Sequence, residues 1–301
     1  MQSSSRRAFL TGRRPPRGPW QAFCRRLARV VKGRVDDLDP HDGFGRARLI
    51  AEQAADVHHA RALCRESGVI LAIEGLDSGA EQDARHVLWV EAGRGLSTFQ
   101  PLEPGSDSWF VQPGVMVGEL DAVGFQQFSS LPAHLTVAEW LADRTNWCFP
   151  GGHMADSGLV FASLLLDDGT VAGLGPFGQN NTRPLQGARL QQLVPALFQL
   201  AMSDDARWCL QHQTWPASFR LDTLCPADGK TINLANLVAG HGGALGWVEW
   251  VVLAPPVSAA PAGFRTAGAG TVSNATPARR LDSQVKHLFD PAGVFMALKS
   301  D

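Results

Sequence analysis

In 301 residues the chain contains no tyrosine, and only 19% of it is charged. The first absence removes the phenol as an acid, a base or a buried hydrogen-bonding tip anywhere in the molecule. Cysteine is scarce. The five (Cys24, Cys64, Cys148, Cys209, Cys225) are odd in number, scattered and form no C-x-x-C pair. Reduced, mostly buried thiols in a cytosolic protein are therefore expected. No window is apolar enough to span a bilayer. There is no G-x-S-x-G, so Ser157-Gly158 is not a nucleophile elbow. His153 and Asp156 share a Gly-rich loop, but one His and one Asp are too few for a metal site, so no metal is expected.

What the chain does have is apolar mass and a lopsided charge. At 45% hydrophobic it can bury a sizeable core in one or two closely joined domains. Residues 1–34 hold ten Arg or Lys and no acid, so within a net charge of −2 the remainder carries −12. Ser5-Arg6-Arg7-Ala8-Phe9-Leu10 looks like a twin-arginine export signal, yet basic, helix-breaking residues 11–19 follow it where an apolar h-region should stand. A basic, solvated arm over 1–29 and a cytoplasmic location are the expectations. Docking to an acidic partner stays open; nucleic-acid binding does not fit the rest of the chain. Within the arm, Trp20, Phe23, Leu27, Val30 and Val31 recur at helical spacing, so it ends in an amphipathic helix.

Further along, the apolar stripe Ala54, Val57, Ala60, Leu63, Cys64 predicts a helix over 54–67, stopped by Gly68. His58 and His59 on it are adjacent, point about 100° apart and cannot chelate as an i, i+4 pair. Short strands are predicted at 69–73, 87–90 and 109–112, then a helix over 117–128. Asp167-Asp168-Gly169 between apolar runs 159–166 and 170–174 is a hairpin signal. A helix is expected over 189–202. The stretch 234–253 organises the rest: an apolar run enters a turn holding Gly240, Gly242, Gly243 and Gly246, and leaves as the strand-like Trp247-Val248-Glu249-Trp250-Val251-Val252-Leu253. A dinucleotide-binding G-x-G needs a helix after its glycines, and a strand follows here.

Four segments, in order, carry a resemblance. Val111-Gln112-Pro113-Gly114-Val115 with Gly118-Glu119-Leu120 matches V-x-P-G-V-x-x-G-E-L. Pro150-Gly151-Gly152-His153-Met154-Ala155-Asp156-Ser157-Gly158 is similar to I-G-G-x-x-A-x-x-x-G. The glycine turn and strand are similar to G-S-E-G-T-L-G-I-I-T-x-A-x-L, and residues 281–295 end in a similar D-P-x-G. Together they resemble the FAD-binding domain of the vanillyl-alcohol oxidase and p-cresol methylhydroxylase flavoproteins, nearest in shape to the small FAD-binding subunit of glycolate oxidase. The resemblance implies an α+β fold over 30–256 in two subdomains (30–130 and 131–256). A vestigial cap reduced to the linker 257–280 and a C-terminal helix and tail over 281–301 complete it. It also implies non-covalent FAD held by Gly75, Ser78, Gly79, Pro150, Gly151, Gly152, His153, Ser157, Gly158, Gly243, Gly246 and Val248, and a larger flavoprotein subunit as partner.

The chain departs from that pattern at the main phosphate loop. Where the family has R-G-G-G-T-S, this chain has Glu74-Gly75-Leu76-Asp77-Ser78-Gly79. At about 5 Å and an effective dielectric near 20, each carboxylate–phosphate pair costs roughly 3 kcal/mol. The loop has no His for covalent flavin, and no residue is assigned as catalytic. The resemblance therefore implies a FAD-dependent oxidoreductase, or a flavin-binding subunit of one, passing a hydride from an alcohol or 2-hydroxy acid to flavin. The alternative is a non-catalytic subunit that keeps the fold and has lost FAD.

Overall fold

A computed structural model describes residues 18–76, 84–178, 185–256 and 275–297. It is a mixed α+β molecule with two sheets. The first sheet has the order β1-β2-β4-β3. β1 (Arg34–His41) and β2 (Phe44–Ala51) form an antiparallel hairpin, turned by Asp42 and Gly43, both at positive φ. β4 (Val87–Ala92) pairs in parallel with β2 on one side and with β3 (Ile70–Ile73) on the other. Parallel pairing requires a crossover, and α2 (Ala54–Ser67) supplies it between β2 and β3. That helix buries Val57, Ala60, Leu63 and Cys64 and stops at Gly68, whose φ of 65° places it in the left-handed region. The helix α1 (Pro19–Val30) lies beside α2 and buries Phe23 and Leu27.

The second sheet is antiparallel, in the order β5-β6-β9-β7-β8. Its strands are β5 (Phe99–Pro101), β6 (Trp109–Val111), β7 (Leu159–Leu165), β8 (Val171–Leu174) and the central β9 (Trp247–Leu253). The helices α5 (Ala188–Ala201), α6 (Asp204–Leu210) and α7 (Thr276–Phe289) pack on one another and share the larger core with this sheet. The expected hairpin at Asp167–Gly169 and the expected α5 are both present. The helix predicted over 117–128 is broken: α3 (Val117–Ala122) ends, Gly124 takes φ 107°, and a separate 3-10 turn covers Gln126–Phe128. The periodicity of Leu120, Val123 and Phe128 concealed that break, since a glycine free to leave the helix outweighs a weak apolar stripe.

Between the two sheets stands α4 (Val137–Ala142), started by a Thr136–Glu139 capping box. Ala138 and Ala142, one turn apart, join the first core; Val137, Trp140 and Leu141 join the second. Two of the glycine-bearing loops converge on this short helix.

Candidate functional site

Two of the three glycine-bearing segments meet on α4. Gly75 follows β3 with φ 82°, and a Cβ built there would lie 1.9 Å from Oε1 of Glu139. The other oxygen of Glu139 accepts from the Thr136 N–H at 2.8 Å and from the Thr136 hydroxyl at 2.7 Å. The turn 240–246 arrives from the other end: Gly240 N–H donates to Leu141 O and Gly242 N–H to Ala142 O. Gly243, at φ 75°, rests on the Ile73 side chain at the end of β3. Gly246 abuts the Leu165 carbonyl, and Val248 is buried in β9 against Leu164. Ser78 and Gly79 lie outside the described residues.

The third segment, 150–158, is turned toward other parts of the chain. Gly152 (φ 76°) donates its N–H to Asp222 Oδ2 at 3.0 Å, and its Cα faces Cys225 O and Ala227 N closely enough to exclude a Cβ. Pro150 bridges to Thr214. The N–H groups of His153, Asp156 and Ser157 close the local turn onto Pro150, His153 and Met154 carbonyls. The Ser157 hydroxyl donates to Asn236 Oδ1 at 2.8 Å, and Asp156 is paired with Lys230 at 2.8 Å. Gly158 sits against Ala254 O, while Gly151 has only His212 O at 4.0 Å. His153 Nδ1 lies 3.9 Å from Asp156. No group of three or more His, Cys, Asp or Glu with metal-holding geometry exists among the described residues.

Buried charge ties these segments together. Arg220 donates to both Asp222 oxygens and to the carbonyls of Trp147 and Phe149. Arg144 donates to Trp215 O, and its pKa is lowered to about 10, by burial first and by Arg220 second. Its aliphatic stem touches Gly240. His241 is buried, with no hydrogen-bond partner for Nδ1 among the described residues. Burial and then Lys286 push its pKa down to about 3, so it is neutral at physiological pH. The sequence singled out the Gly-rich loop around Gly152 but not Arg220 or Asp222; Arg220-x-Asp222 is too common a spacing to be a signal.

Among the described residues, the surroundings of Gly75, Gly152, Gly158 and Gly246 do not present a cradle for a flavin diphosphate. A diphosphate needs open main-chain N–H groups and a positive or neutral surround. Here a carboxylate stands against Gly75, Gly152 spends its N–H on Asp222, and Gly158 and Gly246 pack on the chain's own carbonyls. Gly75, Gly152, Gly158 and Gly246 serve close packing, which is the other use of glycine at positive φ, whereas Gly242 faces open space.

A scan against models of known families matched none, and a search of curated proteins found no relative. Among solved structures the chain is similar to BBE-like 1 of Physcomitrella patens (11% identity, TM-score 0.41, 77% of this chain against 44% of that one). It is also similar to an alkyldihydroxyacetonephosphate synthase (13%, 0.39, 70% against 32%) and to a carbohydrate oxidase from Microdochium nivale (12%, 0.40, 79% against 43%). The chain spans less than half the length of each of these proteins. No helix among the described residues is long and apolar enough to cross a membrane.

Proposed function

We propose that this chain is a non-catalytic subunit that keeps a flavoprotein-like two-sheet fold without binding FAD, and that it serves a partner, such as a larger flavoprotein subunit. The observation that carries this reading is Gly152. Its N–H is engaged by a fully buried carboxylate, and its open side is filled by residues 225–227. The Glu139 carboxylate beside Gly75 supports it from the other segment. The test is the visible absorption spectrum of the chain purified from a flavin-replete host, before and after denaturation, and after incubation with FAD. A colourless protein that takes up no FAD is expected; near-stoichiometric flavin bands would overturn the reading.

One feature favours the second reading, a FAD-dependent oxidoreductase or flavin subunit acting on an alcohol or 2-hydroxy acid. Gly242 has φ 61° with nothing within 4 Å of its Cβ position, leaving that side of the glycine turn open to a ligand. Flavin bands that bleach on addition of a 2-hydroxy acid would support it.

A further inference from the structure

A concavity lies away from the glycine loops, between α1 and the far end of α2. It has a volume of about 340 Å³ and is lined by Pro19, Trp20, Ala22, Phe23, Arg26, Ser67, Val69 and His86. That volume falls in the range of small-molecule sites. Its floor is built with care. Trp20 stacks on His86 with ring centroids 4.9 Å apart and planes 18° from parallel. The Trp20 indole N–H is held by Asp37 at 3.0 Å. Only glycine at 45 permits this, because a Cβ there would fall 2.1 Å from the indole ring.

The polar groups of the cleft are equally defined. The Gly45 N–H donates to His86 Nδ1 at 2.7 Å, so the proton of the neutral ring is on Nε2, which is left as a donor. Burial, and then Arg46, hold the His86 pKa below its ordinary value, so the ring stays neutral at pH 7. Arg26 contributes the cleft's guanidinium, engaged at 2.6 Å by Glu66, with both side chains more than half exposed. Ser67 adds a hydroxyl. Apolar walls with one cation, one fixed N–H donor and one hydroxyl match a ring with a single carboxylate. A phosphate, with its greater charge, asks for more cations than the one that Glu66 already shares.

We propose that this cleft binds a small aromatic carboxylate, its ring against Trp20, Phe23 and Val69 and its carboxylate drawing Arg26 away from Glu66. The test is calorimetric titration and ligand-observed NMR on the full chain with phenylacetate and indole-3-acetate, and with the neutral phenylacetamide as control. Saturable binding of the two acids is expected, with the amide about tenfold weaker, the worth of one charge-assisted contact. Arg26→Gln should weaken the acids by a similar factor and leave the amide unchanged. Glu66→Gln should tighten the acids several-fold by releasing Arg26. Ala22→Phe, at an exposed helix position, should abolish binding of all three while the far-ultraviolet spectrum is retained. Equal binding of acid and amide, indifference to Ala22→Phe, or no saturation in the millimolar range would overturn the proposal. So would binding seen only after Phe9→Ser with Leu10→Ser, which would make the chain's own arm the occupant.

Discussion

Arg220 and Asp222 form a fork of two hydrogen bonds, Nη2 to Oδ2 at 2.6 Å and Nε to Oδ1 at 2.9 Å, with neither side chain exposed to solvent. The pair is itself surrounded by partners: the guanidinium reaches the Trp147 and Phe149 carbonyls, and the carboxylate takes the Gly152 N–H. The cap residue of one 3-10 turn (Leu221–Leu224) and a residue within it thus fasten a loop some seventy positions earlier in the chain.

Breaking that pair should be costly. Asp222→Ala strands a buried guanidinium and frees the Gly152 N–H, and a loss of about 3–5 kcal/mol is expected from urea denaturation. Replacing both residues by apolar ones, Arg220→Met with Asp222→Leu, should cost less than Asp222→Ala alone. If the single substitution leaves the urea midpoint unchanged, the ion pair does not hold the loop.

The glycines give a sharper contrast, because two of them differ only in what lies opposite. Gly152→Ala puts a methyl 2.8 Å from Ala227 N at φ 76°, and backbone must move on one side or the other. A loss of about 2–4 kcal/mol is expected. Gly242→Ala, at φ 61° with open space, should cost only the left-handed strain of about 1–2 kcal/mol. Thermal unfolding of the two variants side by side measures the difference. Equal losses would mean that residues 225–227 yield freely, and the filled-in reading of the 150–158 segment would go with them.

How much of this was visible in the sequence follows the range of the interactions. The helix over 54–67, with its Gly68 stop, and the Asp167–Gly169 hairpin rest on contacts a few residues apart, and both are where pattern placed them. The helix predicted from 189 runs through Pro195, because its apolar face (Leu190, Leu193, Val194, Leu197) outweighs one missing backbone bond. The hairpin β1–β2 drew no signal, since half of residues 34–41 are charged and the strand pairs at an edge. The role of Gly152 could not be read at all. A glycine that admits a ligand and a glycine that admits residue 227 are the same letter. Only the position of Asp222 separates them.

His241 makes stability depend on acidity. Its folded pKa, about 3, lies below the ordinary imidazole value of 6.5, so the unfolded chain binds the extra proton first. The stability tied to the neutral ring is complete above about pH 6.5 and declines as pH falls toward 3. Between about pH 7 and pH 5 this one group should remove roughly 2 kcal/mol. His241→Gln keeps a polar side chain and does not titrate. Urea midpoints at the two pH values should converge in that variant, whatever its absolute stability. An unchanged slope would mean that water reaches His241.

Lys286 governs how the C-terminus is attached. Its ammonium donates to Ala244 O at 2.7 Å, to Phe295 O at 3.2 Å and to the Asp290 carboxylate, which also accepts the N–H groups of Val294 and Phe295. One cation therefore joins the glycine turn, α7 and the segment in which Phe295 pairs with Leu71 at the edge of the first sheet. Lys286→Met retains the apolar stem but leaves Asp290 without its cation and Ala244 O without its donor. A destabilisation of about 3 kcal/mol is expected, as for a buried pair missing one partner. Hydrogen exchange reports its location. The Leu71 N–H, which donates to Val294 O, should lose protection well before the interior of β9 does. Uniform loss across both sheets would mean that Lys286 acts on the whole fold and not on the C-terminal attachment.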